Sequence, residues 1–69
     1  MKKETDNIKI GAIIKEARIK KKLTLRGGAR LADMQPFRLS QIEAGKCSTT
    51  LPTFLRICRS FEIEILLPI

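Results

Sequence analysis

The chain has 69 residues, 14 basic and 7 acidic, for a formal charge of +7 at neutral pH, with two cysteines and no histidine. That length holds one domain near the lower limit for a self-sufficient core, and the residues offer neither a histidine-containing zinc site nor a nucleophile–base pair or carboxylate cluster for catalysis. So high a charge on so small a chain predicts a polyanionic partner, nucleic acid or an anionic membrane surface, against the plainer alternative of a solvated basic face.

The apolar stretches are too short to span a bilayer, and "MKKETDNIKI" lacks the apolar centre of a signal peptide. A cytoplasmic protein follows as the expectation, with Cys47 and Cys58 as free thiols in a reducing compartment rather than a disulfide. Cys58 falls on an apolar face, and Cys47 sits among loop residues.

The first predicted helix covers about residues 7–21. Thr5, Asp6 and Asn7 are candidate caps, and Ile10, Ile14 and Ala17 share a face at helical spacing. Lys20, Lys21 and Lys22 load the last turn with charge that suits the helix dipole. Ile13 lies off the stripe, as a rim or partner contact or simply as a partly exposed isoleucine. Thr24 predicts the N-cap of a second helix carrying Ala29, Leu31 and Ala32. Asp33 ends it, because aspartate tolerates the left-handed conformation, and Met34 puts an apolar side chain into the turn. Pro36 opens a third helix at a position where its missing N–H does no harm. Leu39 and Ile42 share its inner face, and Gly45 is its stop. Thr50 caps a fourth helix, in which Leu51, Phe54, Leu55, Cys58 and Phe61 recur at helical intervals. The tail "EIEILLPI" changes period, and Glu62 to Leu67 reads as a strand. A lone strand has nothing in such a chain to pair with.

Gly27 and Gly28 fall side by side in the second helix, where each costs about 1 kcal/mol relative to alanine. They could break the helix into a loop, cradle a phosphate, or sit in a helix held by its packing. A P-loop needs a different spacing and a following Lys-Ser/Thr, which leaves a weakened helix as the preferred outcome.

Four short helices with a tight turn between the second and third suggest a helix-turn-helix. Residues 10–61 resemble the phage-repressor/Cro-like (Xre-type) helix-turn-helix domains of bacteria. The resemblance runs without a gap from "LT" at Leu23 through "LSQIEAGK" to Lys46. It implies an all-α, four- to five-helix repressor-like domain with its core at about residues 7–61 and a possible short C-terminal strand within 62–69. Ala29 supplies the small residue where the second and third helices cross, Met34 the apolar turn residue, and Leu39 and Ile42 the anchors of the third helix. Four positions depart from the pattern. Asp33 stands where glycine is common, and Leu25 where a phosphate-binding glutamine often opens the second helix. Gly27 replaces a polar helix former, and Gly28 a large apolar residue. Gly28 is therefore expected to leave a void that Leu31 could partly fill.

The resemblance also implies a function. The third helix would lie in the DNA major groove with Gln35, Phe37, Arg38 and Gln41 toward the bases. Gln41 can bond adenine bidentately, and Arg38 can reach guanine or a phosphate. Phe37 would pack on a thymine methyl or, alternatively, on a neighbouring helix or partner protein. Pro36 occupies a position that often reads bases and cannot do so by hydrogen bonding. Thr24 and Arg26, then Lys46, Ser48 and Thr49, are the expected phosphate ligands. Arg18 and Glu43 match a pair that ties the first helix to the recognition helix. No cofactor or metal is implied, and no catalysis.

The expected function is a small sequence-specific repressor that binds double-stranded DNA as a homodimer on a palindromic operator. Ile63, Ile65 and Leu67 would line one face of an antiparallel intersubunit strand. Two settings fit: a phage or mobile-element regulator, and an antitoxin with a toxin partner protein. The competing expectation is a protein-interaction module without DNA binding, toward which Leu25, Phe37 and the glycine pair lean.

Overall fold

A computed structural model describes residues 3–64, with side chains from residue 6 onward. Four helices follow one another: α1 (Lys3–Lys20), α2 (Leu25–Leu31), α3 (Pro36–Glu43) and α4 (Leu51–Ser60). The described residues contain no strand and form an all-α domain. Thr5, Asp6 and Asn7 lie inside α1 rather than capping it. A residue able to cap does so only where the chain before it leaves the helix, and the Lys and Glu that precede these three favour helix.

One core joins all four helices. Ile14 of α1, Ala29 of α2, Leu39 and Ile42 of α3, and Ile57 of α4 are fully or almost fully buried, together with Ala32 and Phe61 just beyond α2 and α4. The sequence stripe on α4 mixes two faces. Phe54, Ile57, Cys58 and Phe61 point inward, following the i, i+3, i+4, i+7 rule. Leu51 and Leu55 lie one face round and are exposed, Leu51 by 67%. Both thiols are free, and burial pushes the Cys58 thiol above its ordinary pKa.

The short helices start and stop by local chemistry. Thr24 and Thr50 accept bonds from the amides of Gly27 and Thr53, and Pro36 lies in the first turn of α3. All four helices end in the same closure. Lys22, Asp33, Gly45 and Glu62 adopt positive φ, between 54° and 75°. The next residue then donates its N–H five residues back: Leu23 to Arg18, Met34 to Ala29, Lys46 to Gln41 and Ile63 to Cys58, at 2.8–3.1 Å. These are Schellman closures, in which an apolar residue beyond the left-handed one usually packs back on the helix. Leu23, Met34 and Ile63 do so against the core. Lys46 is the exception and is exposed.

The same closure corrects the start of the strand expectation, over Glu62–Glu64. Glu62 is a left-handed helix stop, and Ile63 is turned inward by it; alternation along "EIE" arises from the closure, not from a pleat. Residues 65–69, including Ile65 and Leu67, lie outside the described residues.

Gly28 leaves no void. A Cβ there would meet Arg18 Cδ and Phe61 Cζ, each at 3.0 Å. The space of the missing side chain is taken by Arg18 and Phe61, and Leu31 is exposed rather than turned inward. Gly27 is less constrained, its nearest outside atom being the Thr24 hydroxyl oxygen at 3.3 Å. Gly11, which carries no signal in the sequence, marks the closest approach of α1 to α3: a Cβ would run into the carbonyl oxygens of Ile42 and Glu43.

Gly28→Leu should therefore overpack the core and cost about 1–3 kcal/mol, whereas Gly27→Ala should gain up to about 1 kcal/mol through propensity. Urea denaturation of the two variants checks the pair; a gain for Gly28→Leu would mean that the space is open. Lys22→Gly should also stabilise, since left-handed backbone costs a non-glycine residue about 1–2 kcal/mol and the added freedom of the unfolded chain offsets only part of that. A lower melting temperature for Lys22→Gly would contradict this.

Candidate nucleic-acid interface

The third helix is held from one side and presented on the other. Leu39, Ile42 and Glu43 are buried, while Gln35, Pro36, Phe37 and Arg38 are exposed and Gln41 is half-buried. Gln35 is the N-cap residue by its backbone, and its side chain is not spent on a cap hydrogen bond. Phe37 is 72% exposed, so it does not pack on a neighbouring helix. Two short apolar anchors and one carboxylate thus fix which way the remaining side chains face.

The carboxylate belongs to an ion pair. Arg18 Nε donates to Glu43 Oε2 at 2.7 Å and Nη2 to Oε1 at 3.1 Å, with both residues nine-tenths buried. Its Nη1 donates to the Leu23 carbonyl at 2.7 Å, while the Arg18 carbonyl accepts the Leu23 N–H at 3.1 Å. One residue therefore grips the α1–α2 connection through backbone and side chain together, and α3 through a forked charge-assisted contact. The sequence expectation for Arg18 and Glu43 matches this geometry.

The expected phosphate ligands sit at two places. Thr24 and Arg26 are exposed at the start of α2. Thr24 Oγ1 accepts from the Gly27 amide at 3.0 Å, which leaves its own proton to donate outward. Lys46 and Ser48 are exposed and Thr49 half-buried in the α3–α4 loop. Thr49 donates its hydroxyl to the Thr50 carbonyl at 3.3 Å. Leu25 lies in a shallow depression with Lys15, Ser40 and Ala44.

Arg56 is the residue that sequence reasoning misses. With Thr53 it faces Gln35 and Arg38 across a shallow depression between α3 and α4, and its Nη1 donates to the Asp33 carbonyl at 3.3 Å. Ser60 braces the same region: its hydroxyl lies 3.0 Å from the Leu31 carbonyl and 2.9 Å from the Arg56 carbonyl, and its one proton serves either. The α4 sequence shows its apolar stripe plainly; a polar residue that reaches the α2–α3 turn leaves no comparable periodic signal.

Charge is uneven along the sequence. Between Arg18 and Phe61 the sequence has ten basic residues and two acidic ones, Asp33 and Glu43, and Glu43 is consumed by Arg18. Such an imbalance raises the local concentration of a polyanion. Ile63 is half-buried against the chain's own core. Among the described residues no cluster of acidic and cysteine side chains could hold a metal ion, and no helix is long and apolar enough to cross a membrane. The chain matches no protein-family model and no curated protein sequence.

Removing one partner of the buried pair strands a charge in the interior, at a cost of about 3–5 kcal/mol. That is comparable with the whole stability of a small domain. Arg18→Ala and Glu43→Ala should each be largely unfolded at 25 °C by circular dichroism. The apolar double variant Arg18→Met/Glu43→Leu should recover much of the helix signal. Cooperative unfolding of either single variant at the wild-type urea midpoint would show that the pair does not hold α3.

Proposed function

We infer that this chain is a repressor/Cro-like helix-turn-helix domain that binds double-stranded DNA and regulates transcription, acting as a homodimer on a two-fold operator. The observation that carries this reading is the outward face of α3. Gln35, Phe37, Arg38 and Gln41 stand on a helix clamped from behind by Leu39, Ile42 and Glu43, in the most cationic part of the chain. A helix so placed can enter the major groove, with Gln41 reading adenine, Arg38 reading guanine or a phosphate, and Phe37 contacting a thymine methyl. Thr24, Arg26, Lys46, Ser48 and Thr49 would contact phosphates on either side and fix the register. Arg56 joins them as a cation beside Gln35 and Arg38.

A second reading rests on the exposed Phe37, Leu51 and Leu55: a module whose main partner is a protein, as an antitoxin's would be, with weak or no DNA binding. Salt separates the two. Duplex binding by the first should weaken with a log–log slope of about −0.9 per neutralised phosphate; affinity that stays flat from low to moderate salt rejects it. After selection of a preferred site from a random duplex pool, Gln41→Ala should lose about 1–3 kcal/mol against the preferred base. Lys46→Ala should weaken all sequences alike and reduce the salt slope by about 1. Equal losses on specific and random DNA for both variants would remove α3 from the recognition role.

A further inference from the structure

The exposed apolar side chains of α4 are not scattered. Leu51, Pro52 and Leu55 line a groove that Ile63 closes at its far end. Arg56 and Arg59 also line it, and among the described residues no acidic side chain does. The cationic edge calls for an occupant that is apolar with carboxylates beside the apolar residue. The chain supplies both parts beside the groove: the exposed leucines of α4 themselves, and Glu64, which directly follows the groove-lining Ile63. Glu62 is bound to Lys21 of its own chain, Nζ to Oε2 at 3.0 Å; Glu64 is exposed.

We propose that this groove is a docking site for a second copy of the chain, with the leucines of the two α4 helices in contact and Glu64 of each copy set against Arg59 of the other. A two-fold contact requires both halves of the complementarity on one face of one subunit. Here the apolar groove and its cationic edge lie along α4, and Glu64 is the residue next to Ile63, which lines that groove. Each copy carries +7, so long-range electrostatics opposes association and the contact depends on local apolar burial and charge matching. The site deepens the dimeric part of the proposed function and rests on that reading for its purpose. The face lies on α4, so it does not use the base-facing residues of α3.

Sedimentation equilibrium of the full chain at high micromolar concentration tests the contact, with circular dichroism melts to confirm folding. The wild type should be dimeric. Leu51→Glu alters an exposed residue in the first turn of α4, where a carboxylate suits the helix dipole, and should leave the chain folded but weaken the dimer at least about tenfold. Arg59→Glu and Glu64→Arg should each weaken it, and the double reversal Arg59→Glu/Glu64→Arg should restore it relative to either single change. A monomeric wild type, an unaltered dimer in Leu51→Glu, or a double reversal no better than the singles overturns the proposal; the first of these assigns the groove to a different partner. Binding to a single half-site duplex, which needs one copy only, is measured in parallel. Its persistence in a monomeric protein separates failure of this contact from failure of the DNA-binding reading.

Discussion

The Arg18–Glu43 pair is the contact on which the arrangement of the other elements depends. A guanidinium has five donors in a rigid plane, and here that plane is shared between a carboxylate of α3 and a carbonyl of the α1–α2 connection. Bringing the charge inside is costly unless its bonds are made, and the chain reserves space for it. The Arg18 stem runs across Gly28, where a side chain would collide with it and with Phe61. The poor helix propensity of α2 is thus exchanged for a short path between α1 and α3. A buried ion pair is weak as a source of net stability but demanding in its geometry, which is what an outward-facing helix needs from its support.

The remaining order comes from closures rather than from helix length. α2 has seven residues and α3 eight, well below the length at which isolated helices persist in water. α2 is kept in register by the Thr24 cap and α3 by Pro36 in its first turn, each closes in a Schellman turn, and the residue following three of the four turns is itself packed on the core. The turns therefore define the helix ends and deliver apolar side chains to the interior in one step. Only after α3 is the position left to a lysine, Lys46, on the side of the proposed phosphate ligands.

Much of this architecture is legible in the amino-acid sequence. Thr24, Thr50, Pro36 and Gly45 announce their roles by type and position, and Asp33 does so because aspartate accepts a left-handed backbone. Leu39, Ile42 and the Arg18–Glu43 pair are equally plain, the pair through family likeness. Distances between elements are not legible. Gly28 looks like a deletion because a missing side chain in sequence is indistinguishable from one whose space is filled by Arg18 and Phe61 from elsewhere. Gly11 gives no local sign of an α1–α3 backbone approach. Leu51 and Leu55 join the α4 stripe because hydrophobicity alone does not say which of two adjacent faces is covered. "EIE" reads as the start of a strand because a left-handed residue between a helix and an inward-facing isoleucine produces the same alternation. Arg56 escapes notice because it acts across elements, on a turn that closes more than twenty residues earlier in the chain.

Gly11 and Gly28 have a consequence at the level of the gene. Every missense change in a glycine codon adds a side chain, and at these two positions the added atom meets the backbone of α3 or the stem of the arginine that clamps it. At Gly11 the overlap is with backbone, so replacement there has no mild form; at Gly28 the neighbours are side chains at 3.0 Å, which must give way for any larger residue. The outward residues of α3 are in the opposite situation, since Gln35, Phe37 and Arg38 are exposed and contribute little to the interior. Mutational drift in such a chain is channelled: the scaffold filters nearly every change at Gly11 and the bulkier ones at Gly28, while the outer face of α3 can explore new chemistry without endangering the fold that carries it.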